Sequence, residues 1–156
     1  MIVENIELFY LSMPEILDEA DGSQDALIVK VEAGGFEGWG ECEASPLPSI
    51  AAFVCPMSHG ACRPVSSSVL GQNLDTPEDV SRIGALVAYE SMDLLQAPHT
   101  FSGIEMALWD VLGRKLDEPV WSLLGYKTSE LKIPYASLLF GDTPQETLNR
   151  ARNALS

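Results

Sequence analysis

Ser102-Gly-Ile-Glu-Met-Ala-Leu-Trp-Asp-Val-Leu-Gly-Arg-Lys-Leu-Asp-Glu-Pro-Val-Trp-Ser-Leu-Leu-Gly125 is the stretch whose reading decides the fold. Ser102 and Glu105 have the Ser-x-x-Glu spacing of a capping box, in which two side chains satisfy the orphan N–H groups of a helix start. Beyond it Ile104, Leu108, Val111 and Leu112 fall on one face of a helix. Asp110 and Arg114 stand one turn apart and can pair. A short second helix follows Pro119. The segment predicts a capped amphipathic helix that needs an apolar partner surface.

That surface is legible upstream. Residues 2–10 are rich in β-branched and aromatic side chains, and residues 25–33 alternate. Leu27, Val29, Val31 and Ala33 line one face of that second strand, with Ile28, Lys30 and Glu32 on the other. Gly34-Gly35 predicts a hairpin turn into a third strand over residues 36–44. Gly38 and Gly40 within that strand point to a bend or to close approach of another backbone. The prediction is an antiparallel meander. Residues 12–24, acidic and ending in Asp21-Gly22-Ser23, read as a surface loop. Residues 44–65 contain Pro46, Pro48, Pro56 and Pro64 and read as a second, irregular loop. Their apolar content (Leu47, Ile50, Phe53, Val54, Met57) argues that the loop is functional rather than disordered.

Helices then take over. A short one is expected over residues 65–72. Thr76-Pro77-Glu78-Asp79 caps another, with Thr at the N-cap, Pro at the first helical position and acids in the first turn, running to about Leu95. His99, ahead of the expected start at Ser102, reads as structural. Downstream of the quoted stretch, residues 132–140 predict a strand. Thr143-Pro144-Gln145-Glu146 caps a last helix expected to run on to Ser156. A strand and a helix without a second strand are half of a βαβ unit, so the chain is expected to belong to a longer protein.

Bulk properties exclude several functions. The chain has 156 residues, enough for one well-packed domain but short of a complete (β/α)8 barrel. Its 9 Lys and Arg against 23 Asp and Glu give a formal charge of -14. Phosphate and anionic-membrane binding need clustered cations, so nucleic acid and membrane surfaces are not expected partners. No apolar run reaches membrane-spanning length and the N-terminus has no signal-peptide pattern, so a cytoplasmic protein is expected. Cys42, Cys55 and Cys62, an odd count, suit free thiols in a reducing compartment.

The order and spacing of these features resemble the mandelate racemase and muconate lactonizing branch of the enolase superfamily over essentially the whole chain. Gly38-Trp39-Gly40-Glu41 is similar to the end of that family's third strand, and Ser102 to Gly125 to the end of its N-terminal domain. Lys132-Ile133-Pro134-Tyr135-Ala136-Ser137 resembles its first barrel strand. Two departures stand out. Asp117-Glu118 replaces the Gly that commonly precedes the Pro, and the Cys55-Pro-Met-Ser-His-Gly-Ala-Cys62 insert is not a general family feature. The resemblance implies an α+β fold: a three-stranded antiparallel meander followed by a helical bundle, the capping domain, over residues 1–125. Residues 126–156 would then be the first strand and helix of a truncated (β/α)8 barrel. It implies abstraction of a proton α to a carboxylate, with Mg²⁺ stabilising the enediolate. The catalytic bases and metal ligands are all expected beyond Ser156, so residues 1–156 alone are expected to be inactive. Symmetric homo-oligomers are a further implication.

Candidate site residues follow from position. In the family the long loop after the third strand folds over the barrel mouth, which makes Ser45, Ser49, His59 and Arg63 candidate substrate contacts. Arg63 can fork a carboxylate; for each, local hydrogen bonding within a loop is the plainer alternative. Tyr135 and Ser137 are candidates because catalytic groups of a (β/α)8 barrel sit at strand ends. Glu41 and Glu43 share a strand face and read as a solvated or salt-bridged pair, a paired-carboxylate site being the alternative. Cys55, His59, Cys62 and Cys42 could supply soft zinc ligands, but their spacing is irregular and free thiols are the reading. The expected function is a Mg²⁺-dependent enzyme acting on a small carboxylate. A sugar-acid dehydratase comes first, because the loops are polar. A racemase, epimerase or cycloisomerase comes next, and a non-catalytic α+β binding module is the reading from another class.

Overall fold

The computed structural model describes residues 1–16, 24–42, 45–128, 131–138 and 141–155. Packing divides the chain into two units, Met1–Tyr126 and Lys127–Ser156. In the first, β1 (Val3–Leu11), β2 (Ala26–Ala33) and β3 (Phe36–Cys42) form an antiparallel sheet in the order β1-β2-β3. Gly34 and Gly35 take φ of +56° and +81°, the conformation that lets two residues reverse the chain along the strand twist. The alternation read in β2 is realised in full: Leu27, Val29, Val31 and Ala33 have no exposed surface.

Helices α1 (Pro46–Val54), α2 (Val65–Val69), α3 (Pro77–Glu90), α4 (Ala97–Leu116) and α5 (Val120–Leu123) complete this unit. α4 lies across the inner sheet face, chiefly on β3, and also packs on α3. Its Ile104, Leu108, Val111 and Leu112 are fully buried, as the spacing predicted. Gly38 and Gly40 are where helix and strand touch. A Cβ at Gly38 would stand 2.2 Å from the Ala107 carbonyl oxygen, and one at Gly40 would stand 2.0 Å from that of Gly103. The Trp39 N–H donates to Asp110 Oδ2 (3.0 Å), while Arg114 Nε donates to Asp110 Oδ1 (3.2 Å). Asp110 thus joins strand to helix as well as pairing along it. Asp117 ends α4 in the left-handed conformation, φ +53°, where the Gly of the related pattern would stand.

In these places the structure departs from the expectations. The irregular 44–65 segment contains α1, because Pro46 and Pro48 fall in a first turn whose N–H groups have no helical partner to lose. α4 begins at Ala97, with Pro98 in its first turn, so Ser102 is interior. Its hydroxyl donates to the His99 carbonyl (2.7 Å) instead of capping the helix. α3 stops at Glu90 rather than near Leu95, and Ser91, its C-cap, donates its N–H to Val87 O and its hydroxyl to Arg63 O. Residues 131–138 form no strand: a ladder needs a partner, and none pairs with them among the described residues.

In the second unit, α6 (Pro144–Asn153) carries the expected capping box. Glu146 N–H donates to Thr143 Oγ1 (3.3 Å) and Thr143 N–H to Glu146 Oε2 (3.1 Å). The helix ends at Asn153, short of Ser156.

The N-terminus of the first unit is tied down electrostatically. Asp75 accepts hydrogen bonds from Lys115 Nζ and from the Met1 amino group, which together hold its carboxyl at about 2, against 3.8 ordinarily. A carboxylate with a depressed folded pKa contributes stability above its unfolded value and loses it as pH falls through the folded one. Asp75→Asn should therefore lower the thermal midpoint at pH 7, with the gap to wild type closing between about pH 4 and pH 2. Thermal unfolding across that range tests this; a gap that stays constant down to pH 2 refutes the linkage.

Candidate functional site

The loop ends of the sheet enclose an open cleft of about 460 Å³. β1 contributes Tyr10, the β1–β2 connection Ile16, Gln24 and Asp25, and the start of α1 Ser45, Pro46, Leu47 and Pro48. Tyr10 pairs in register with Leu27 and so projects from the inner face at the sheet's end. Its hydroxyl donates to Asp25 Oδ2, and the Met13 N–H donates to Asp25 Oδ1 (2.7 Å). The Tyr10 hydrogen bond first, and the Met13 N–H second, hold the Asp25 carboxyl below its ordinary value. The same bond to an anion raises the Tyr10 phenol. Asp25 is therefore a fixed negative charge at the cleft wall, and it anchors the first residues of the β1–β2 connection to the strand ends.

The sequence-predicted residues go to different places. Ser45 lines the cleft, at the N-cap of α1, and its side chain makes no capping hydrogen bond. Ser49 is fully buried. Its hydroxyl accepts from Gln96 Nε2 (3.0 Å) and its carbonyl from Thr100 Oγ1 (3.0 Å), so it ties α1 to α4. His59 and Arg63 are brought together, but in a clip rather than in the cleft. His59 Nε2 meets Asp93 Oδ2 (2.6 Å) and Nδ1 meets Ser58 Oγ (2.9 Å). Arg63 Nη1 donates to Glu90 Oε1 (3.1 Å), and its backbone N–H to Glu90 O (3.0 Å). Asp93 N–H donates to Ala61 O (2.9 Å), and Ser68 Oγ to Glu90 Oε2 (2.7 Å). Residues 58–63 are thus held to the end of α3. Tyr135 and Ser137 belong to the second unit, where both are exposed. Glu41 is exposed on the outer sheet face, and Glu43 lies outside the described residues.

Sequence reading missed Tyr10, Gln24 and Asp25. The available signal was positional: they bracket the β1–β2 connection at the end of one strand and the start of the next. Cys42, Cys55 and Cys62 are free thiols, and burial pushes the Cys42 thiol up. Among the described residues no group of three or more His, Cys, Asp or Glu is placed to hold a metal ion. A divalent cation therefore does not fit the described residues. A second hollow, about 430 Å³ between the end of α3 and the start of α4, is mostly apolar (Val87, Met92, Leu95, Pro98, Phe101), with Ser91 and Glu105 as its polar side chains. No helix among the described residues is long and apolar enough to cross a membrane.

Comparison with known proteins gives this geometry a lineage. D-galactonate dehydratase of Klebsiella pneumoniae (strain 342) is 34% identical over 130 residues, covering 78% of this chain and 30% of the dehydratase. A crystal structure described as a predicted mandelate racemase from Rhodobacter sphaeroides is 73% identical, with a TM-score of 0.93, covering 99% of this chain and 39% of that one. An L-Ala-D/L-Glu epimerase, 22% identical with a TM-score of 0.61, shares the fold. The chain thus spans about a third of the length of the relatives it matches. The family model described as "Mandelate racemase / muconate lactonizing enzyme, N-terminal domain" matches residues 18–125. The chain belongs to the mandelate racemase and muconate lactonizing enzyme family, whose N-terminal domain it carries.

Proposed function

We propose that this chain supplies the capping part of a longer enzyme that removes the α-proton of a sugar acid and eliminates water. The observation that carries the reading is the likeness to D-galactonate dehydratase, which extends over 78% of the chain. In this reading residues 1–125 are the capping domain and residues 126–156 open the (β/α)8 barrel. The bases and a Mg²⁺ that the family resemblance implies belong to the remainder of the protein; no step of the chemistry is assigned to residues described here. What these residues do is cover, orient and exclude water. The cleft of Tyr10, Gln24, Asp25 and Ser45 is taken to face the reacting centre, because it gathers polar groups at the sheet's loop end. Free thiols suit a cytoplasmic setting. The second reading, a racemase or epimerase, draws on the 73% identity to the Rhodobacter sphaeroides protein.

Sugar acids offered to the full-length protein with Mg²⁺ in deuterated water separate these readings by NMR. A dehydratase converts substrate to a keto-deoxy acid. A racemase exchanges the α-proton and yields the epimer with no loss of water. Residues 1–156 alone should do neither. Absence of both turnover and α-proton exchange across the panel would sink the sugar-acid reading.

In this account His59 and Arg63 hold the 58–63 segment in place and do not read substrate. Arg63→Ala leaves the half-buried Glu90 carboxylate without its cation. It should cost about 1–3 kcal/mol of stability and leave kcat/KM within about twofold. A tenfold fall in kcat/KM at an unchanged thermal midpoint would return Arg63 to the substrate.

A further inference from the structure

Ser58, His59 and Asp93 form a hydrogen-bonded chain outside the cleft. His59 Nε2 meets Asp93 Oδ2 (2.6 Å), and its Nδ1 meets Ser58 Oγ (2.9 Å). A carboxylate only accepts, so in the neutral ring the proton facing Asp93 sits on Nε2. That leaves the Nδ1 lone pair to accept the Ser58 hydroxyl proton. Acid, imidazole and hydroxyl then follow one another as in a serine hydrolase, with the two ring nitrogens exchanged. The exchange preserves the relay, because either nitrogen can act as base once a partner fixes the proton on the other. Main-chain bonds hold the group in place. Ser58 N–H donates to Cys62 O (3.3 Å), Cys62 N–H to His59 O (3.0 Å) and Asp93 N–H to Ala61 O (2.9 Å). Ser58, His59 and Asp93 are all exposed, so a small molecule can reach the hydroxyl. Ser58 and His59 also lie in the 55–62 stretch that departs from the family pattern.

We propose that Ser58, His59 and Asp93 are a second site, separate from the sugar-acid chemistry, that hydrolyses small uncharged esters through an acyl-Ser58 intermediate. Ser58 Oγ attacks the ester carbonyl carbon, and its proton passes to His59 Nδ1. As the tetrahedral adduct collapses, the bond from carbon to the alcohol oxygen breaks and the same proton leaves with the alcohol. Water then adds to the acyl carbon and gives a proton to Nδ1. The bond from the acyl carbon to Oγ breaks, Ser58 Oγ takes that proton, and the acid is released. Ester and water become acid and alcohol, with no oxidation or reduction. Asp93 is a positioning residue: it fixes the tautomer and balances the imidazolium that forms. An apolar hollow of about 430 Å³ opens beside Asp93, walled by Ala51, Ala52, Cys55, Leu94 and Leu95. It suits an acyl chain of a few carbons, and Asp93 on its wall disfavours an anionic ester.

The test assays the full-length protein with p-nitrophenyl butyrate, divalent cations chelated. A phosphonofluoridate reagent, whose fluoride leaves as Oγ bonds phosphorus, locates the nucleophile by peptide mass spectrometry. The wild type should hydrolyse the ester with a burst of nitrophenolate and take the label on Ser58. Ser58→Ala, at an exposed position, should bring the rate down to that of buffer. His59→Ala should lower it by about a hundredfold. Asp93→Asn should lower kcat by about tenfold or more with KM little changed, and Asp93→Glu should restore part of the loss. Thermal midpoints of all four variants separate these effects from loosening of the turn. A wild-type rate equal to that of buffer would overturn the inference. So would a label on Cys55 or Cys62 in place of Ser58, or a Ser58→Ala rate equal to that of wild type, since a thiol or the imidazole would then be the nucleophile. Each of these results leaves the sugar-acid reading intact, and failure of that reading leaves this one intact.

Discussion

The contact between β3 and α4 is made backbone against backbone, and the rest of the first unit is arranged around it. Gly38 and Gly40 present no side chain to the helix, and Gly103 presents none to the strand. A Cβ at Gly103 would stand 2.5 Å from the Cys42 sulfur. Small residues on both partners let α4 sink onto the sheet, so that Ile104, Leu108, Val111 and Leu112 reach the core without residual exposure. Asp110 then bonds the Trp39 N–H, which fixes the helix against the strand along its length as well as in depth.

Seating α4 at that depth positions the end of the unit where the cleft lies. α1 reaches α4 through Ser49, Gln96 and Thr100. The start of α1, with Ser45 and Leu47, therefore stands at a defined distance from Tyr10 and Asp25 at the sheet's end. Asp25 also holds the Met13 N–H, just past the end of β1. Residues 58–63 are tied instead to the end of α3 by side-chain and main-chain bonds. The start of the second long connection thus borders the cleft together with the described residues of the first, while its residues 58–63 close on the end of α3.

Much of this was legible in the sequence, for reasons particular to each element. β2 announced itself because strict alternation has a single solution, and the Gly34-Gly35 pair because two successive positive φ values are inexpensive only for glycine. Gly38 and Gly40 signalled a close approach, and α4 provides it. Proline misled at the start of α1. Pro46 looks like a breaker, but it lies in a first turn, where a missing N–H costs nothing, as Pro98 does in α4. The Ser102 to Glu105 spacing is a capping signature that a helix interior can also carry, and only the upstream packing of Ala97, Thr100 and Phe101 distinguishes the two. The candidate site was less legible. Ser45 was placed by its loop, but Ser49 and Arg63 were drawn into packing by partners distant in sequence, Gln96 and Glu90. Tyr10 and Asp25 carry no motif; they matter because the register of two strands sets them side by side.

The β3–α4 seam organises the first unit, and equilibrium unfolding of Gly40→Ala measures it most directly. The added methyl would stand 2.0 Å from the Gly103 carbonyl oxygen, a backbone atom that cannot rotate away. Overpacking predicts a loss of about 3 kcal/mol or more, with amide shifts spreading through α4 in the NMR spectrum. Gly60→Ala, at a site where nothing stands within 4 Å, is the control and should change stability by less than about 0.5 kcal/mol. A Gly40→Ala protein as stable as the control, with an unperturbed α4, would contradict the claim that this contact organises the fold.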